Sequence, residues 1–93
     1  MSAASARLAL SVLGTGAGRP LEDPIRADME ARLGGNFSAV RIHTDAGAAE
    51  AAEAVHARAY TVGDAVVFGP GGYAPGTSAG RRTLVHELVH VQQ

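Results

Sequence analysis

The chemistry of this sequence is concentrated in five residues, His86-Glu87-Leu88-Val89-His90. On an α-helix, residues four apart are rotated by about 40° and displaced by about 6 Å along the axis. Both imidazoles can therefore reach one cation. Glu87, about 100° round from His86, stands beside that cation and not beneath it. Zn2+ accepts neutral imidazole nitrogen well, and a catalytic zinc site takes three protein ligands and a water. A carboxylate alongside takes a proton from that water and later gives it to a leaving amine. The spacing predicts a zinc site with His86 and His90 as ligands and Glu87 as the catalytic residue. Leu84, Leu88 and Val91 are apolar on the helix flank, as expected of a half-buried helix. The competing reading is an amphipathic helix with two surface histidines and a surface glutamate.

Two histidines do not complete such a site. The upstream candidates are His43, Asp45 and His56. His43 closes an expected strand, a good position for an inward ligand, or else it packs behind the site. Asp45 fits a helix N-cap and can alternatively orient an imidazole. His56 reads as a solvated residue. Gln93 falls three residues after His90 on the same face, where an amide is better suited to supporting a ligand than to being one. Tyr73, in a Gly/Pro loop, can donate to an oxyanion or anchor the loop. Arg81-Arg82 can bind a carboxylate or face solvent.

The composition limits what else the chain can be. Its 93 residues suffice for one domain with a modest core, and a bound metal or partner would matter to stability at this size. There is no cysteine, so any metal must be held by His, Asp or Glu. The net charge is −1 and no basic stripe exists, which argues against nucleic acid as a partner. Leu8 to Leu13 is too short an apolar run for a membrane span and lacks the basic start of a secretory signal.

The remaining elements follow from periodicity and punctuation. Met1 to Leu13 can form a short helix, and Gly14 to Arg19 reads as a flexible link. Asp23 before Pro24 reads as an N-cap to a helix over 24–33, with Ile25, Met29 and Leu33 as its buried stripe. Phe37 to His43 reads as a strand. Thr44-Asp45 caps an alanine-rich helix over 46–57. Ala59 to Val62 and Ala65 to Phe68 form a hairpin about Gly63-Asp64. Thr77 or Ser78 caps the last helix. This order predicts an α+β domain, a short sheet with helices packed on it.

Several blocks, taken in order, resemble one known family. They are Leu21-Glu22-Asp23-Pro24-Ile25-Arg26, Phe37-Ser38-Ala39-Val40-Arg41-Ile42-His43-Thr44-Asp45, Ala57-Arg58-Ala59-Tyr60-Thr61-Val62-Gly63, Val67-Phe68-Gly69 and Leu84-Val85-His86-Glu87-Leu88-Val89-His90. Together they resemble the extracellular contractile injection system (eCIS) core domain, over about residues 18–93, with 1–17 as a separate N-terminal segment. That resemblance implies a zincin-like metallopeptidase domain within bacterial toxin or effector proteins. It implies zinc on His86 and His90, Glu87 as catalytic residue, and His43 and Asp45 near the site. It also implies a peptide or protein substrate, including the protein's own chain, with fused toxin regions or injection-particle components as partners. The expected location is the bacterial cytoplasm before export, followed by delivery through an injection system. One departure from the family pattern is visible: the Gln92-Gln93 pair follows His90 one residue early. The alternative function is a non-catalytic loading or docking module, its metal site structural or absent.

Overall fold

The computed structural model describes residues 18–93. The readings made above for residues 1–17 lie outside it. The element order is α1 (Asp23–Leu33), β1 (Arg41–His43), α2 (Ala46–Ala54), β2 (Ala59–Val62), β3 (Ala65–Phe68) and α3 (Ser78–Gln92). The result is the small α+β arrangement that the element order predicts.

The strands form one mixed sheet in the order β1-β3-β2. β3 pairs parallel with β1 and antiparallel with β2. Laterally paired residues point to the same side of a pleated sheet, and successive residues alternate. Val66 is level with Ile42 and Thr61, so these three share a face. Val67 is level with His43 and Tyr60, which share the other. The two faces are covered unequally. Ile42, Val66 and Phe68 pack with Met29 of α1, Leu84 and Leu88 of α3, and Leu21, Phe37 and Val40. Val67 packs with Ala48 and Ala51 of α2, with Tyr60 beside them. The main core therefore lies between the sheet and the α1/α3 layer. Alanines let α2 pack closely on the opposite side.

The element boundaries follow local hydrogen bonding. Asp45 caps α2, its carboxylate accepting from the Ala48 amide at 2.8 Å. Thr77 caps α3, its hydroxyl accepting from the Gly80 amide at 3.0 Å. At α1 the N-cap is Glu22, which makes no side-chain cap bond, and Asp23 lies inside the first turn. The expected cap at Asp23 is thus shifted by one residue. The strand expected over 37–43 contracts to Arg41–His43. Side chains compete for the amides that a longer ladder would use: Glu30 accepts from the Phe37 amide and Asn36 from the Ser38 amide. α2 stops at Ala54, before His56 enters the left-handed region at φ 55°. Arg19, placed in a flexible link by composition, instead exchanges two backbone hydrogen bonds with Ile42 and covers the outer edge of β1.

The Gly/Pro loop between β3 and α3 is held at two points. Tyr73 stacks against Phe68 at 5.1 Å between ring centroids, and its hydroxyl donates to the Glu22 carboxylate. That hydrogen bond, helped by Arg19, holds the Glu22 carboxyl below its ordinary range, while burial and the Glu22 contact push the Tyr73 phenol up. Gly80 is the second point. A Cβ there would lie 1.8 Å from the Ala74 carbonyl oxygen. Gly80→Ala gains about 1 kcal/mol of helix propensity. The clash with backbone outweighs it, because no rotamer change relieves it, and overpacking costs about 1–3 kcal/mol or more. We expect a net loss of roughly 2 kcal/mol, read as a lower urea midpoint. A midpoint at or above that of the wild type would contradict this close approach.

Candidate metal and catalytic site

α3 has two working faces. Leu84 and Leu88 are fully buried and fix the helix against the sheet. His86 and His90 emerge on the exposed side, one turn apart. Their Nε2 atoms are 3.3 Å apart, and the rings meet nearly edge-on, with centroids at 4.8 Å and planes at 80°. Two nitrogens each about 2.0–2.1 Å from a tetrahedral zinc stand about 3.3 Å from one another. The observed separation is compatible with two ligands on one ion. In the absence of an ion the same contact requires one Nε2–H to donate to the other ring.

Glu87 sits between the two faces, 7 % exposed. Its Oε1 accepts from the Thr61 hydroxyl at 2.8 Å. The same hydroxyl lies 3.3 Å from the Glu87 carbonyl oxygen, so it is pinned to the helix at both ends of that residue. No described cation pairs with Glu87. A buried carboxylate without a cation is costly, and a divalent ion on the adjacent imidazoles would offset that cost. Thr61 carries no motif signal. Its role follows only from β2 lying beneath α3.

The histidines open into a groove of about 600 Å³ lined by Thr61, Asp64, His86, Glu87, His90 and Gln93, among others. Gln93 lines the same groove. Asp64, expected only as a turn residue, also reaches the groove.

The other candidates are placed elsewhere. His43 is buried, in register with Val67, and so points to the α2 face of the sheet, whereas Thr61 and α3 occupy the opposite face. It lines a separate recess with Gly18, Arg19 and Asp45. Asp45 acts as the α2 cap. Tyr73 is held by Glu22 and Phe68, away from the groove. His56 is exposed at the end of α2. Among the described residues, no group of three His, Asp or Glu side chains is placed to hold a metal.

No curated protein and no solved structure matches the chain. The family described as "eCIS core domain" matches residues 20–93, a span that takes in all six elements and every residue of the groove. The chain belongs to the eCIS core domain family.

Proposed function

We propose that this domain is a zinc-dependent endopeptidase of a bacterial protein associated with contractile injection systems, acting on its own chain or on attached cargo. The observation that carries the reading is the His86–His90 separation of 3.3 Å beside a buried Glu87. His86 and His90 would hold the zinc. When bound, that ion supplies a water of lowered pKa and a Lewis acid for a peptide carbonyl. Glu87 holds and moves the proton at its carboxylate. Thr61 donates to Oε1 and keeps that carboxylate directed along the groove. Gln93, at the groove wall, supports the His90 side of the site. His43 enters the ligand set only if the sheet rearranges, so it is proposed as a packing residue in this conformation.

The family name supports association with injection particles, and no helix among the described residues is long and apolar enough to cross a membrane. Delivery by such a particle is part of the same proposal. One observation favours a second reading, a loading or docking module without catalysis: the described residues bring two imidazoles together and no third His, Asp or Glu ligand.

Cleavage separates the two readings. The purified chain with one equivalent of zinc is incubated with denatured casein, and both its own mass and the casein fragments are followed by mass spectrometry. The peptidase reading predicts products that vanish with a chelator and fall about 10²- to 10⁴-fold in Glu87→Gln, the range for loss of a general base. Zinc bound by both proteins with no cleavage in either supports the module.

A further inference from the structure

The chain has no lysine, so every fixed side-chain cation is an arginine. Most of the described arginines are engaged. Arg26 and Arg32 face Glu30 and Asp28 on their own helix, and Arg81 ties α3 to Asp28. Arg19 lies over the Tyr73 ring, and Arg41 donates to the Ser38 and Val40 carbonyls. Arg58 and Arg82 are the described arginines whose guanidinium groups have no such partner.

These two come from distant parts of the sequence and line the same recess. It measures about 380 Å³, and Thr83, His86 and Glu87 are among its other walls. His86 and Glu87 also line the larger groove, so recess and groove meet at the candidate site. Arg82 precedes His86 by four residues, one turn along the same helix face. Arg58 stands just before β2. At the other end the groove is bounded by Asp64 and Gln93. The cleft therefore runs from two unpaired guanidinium groups, past the imidazole pair and the Glu87 carboxylate, to Asp64.

We propose that the Arg58/Arg82 recess receives an anionic side chain, carboxylate or phosphate, of a peptide lying in the groove. Guanidinium recognises both anions through paired N–H donors. With neither arginine engaged internally, binding breaks no existing ion pair. Asp64 at the opposite end disfavours the reverse placement of the anion. The inference rests on the peptidase reading for placing the anion beside a scissile bond. The anion preference itself can be measured without cleavage.

The test uses the wild-type chain with a metal chelator present, so that no turnover complicates binding and the recess keeps all its own side chains. Three fluorescein-labelled heptapeptides of alanine and leucine differ only at the central residue: glutamate, phosphoserine or glutamine. Affinity is read by fluorescence anisotropy at low salt. We expect the glutamate or the phosphoserine peptide to bind about five- to tenfold tighter than the glutamine peptide, the range that two exposed charge pairs provide. The ratio of those two names the preferred anion. The preference should vanish in Arg58→Gln/Arg82→Gln, return in Arg58→Lys/Arg82→Lys, and shrink as salt is raised. Equal binding of all three peptides, or a preference unchanged in the glutamine variant, overturns the proposal. An anion preference in a protein that never cleaves would leave the recess assignment standing and remove the peptidase reading alone.

Discussion

Replacing His90 with alanine should lower zinc affinity by about 100-fold or more while leaving the metal-free fold intact. A ligand is lost outright, and disturbing even a residue behind a ligand costs about 10- to 100-fold in affinity. His90 is exposed, and its ring touches His86 and not the core. Its removal should therefore change metal-free stability by no more than about 0.5 kcal/mol. The two effects separate in one experiment. At free zinc of 100 times the dissociation constant, the wild type gains about 2.7 kcal/mol of stability, because the ion binds the folded state. The wild-type melting temperature should rise with zinc, and that of His90→Ala should rise far less, by the equivalent of about 0.4 kcal/mol at most. Isothermal titration calorimetry checks the affinity directly. Equal zinc binding by the two proteins would show that the imidazole pair is not the ligand set.

The largest stability effect is expected one residue position away from the chemistry, at Leu88→Ala. Leu88 belongs to the five-residue motif, yet its side chain is fully buried among the residues of the main core. Truncating a buried leucine costs about 2–5 kcal/mol, because the lost transfer energy is joined by an unfilled cavity. A domain of this length has a total stability of about 5–14 kcal/mol, so a large share of it would go. The neighbouring Val89 is 36 % exposed, and Val89→Ala should stay within about 0.5 kcal/mol of the wild type. Urea unfolding of the pair measures the contrast. Similar midpoints for Leu88→Ala and Val89→Ala would mean that α3 is not anchored by this face, and the fixed orientation of the imidazoles would lose its physical basis.

What could be read from the sequence was local. The hairpin strands were legible to the residue, because β-branched runs flank a Gly-Asp turn and nothing nearby competes. The start of α3 was legible to within one residue, at Thr77 or Ser78, because a hydroxyl residue precedes a small-residue first turn, and Thr77 is the cap. The helix spacing of His86 and His90 places both rings on one face, and their Nε2 atoms lie 3.3 Å apart there. Errors arose where side chains rewired the backbone. Glu30 reaches seven residues ahead to the Phe37 amide, and no strand pattern over 37–43 announces that.

The partners of the site were hidden for a different reason. Which face of the sheet His43 points to depends on the register of β1 against β3 and on β3 lying at the centre, both set by contacts distant in sequence. A one-residue shift in that register would turn His43 to the other face. Thr61, Asp64 and Arg58 were silent for the same reason. They become neighbours of the motif only once β2 lies against α3.

His86 and His90 are proposed to share one cation. Crystals grown with one equivalent of zinc, with anomalous data collected on both sides of the zinc absorption edge, test it most directly. One strong anomalous peak is expected about 2.0–2.1 Å from Nε2 of both rings, with the Glu87 carboxylate alongside. A peak bound to only one of the two rings, or no peak while the rings keep their mutual hydrogen bond, would contradict it.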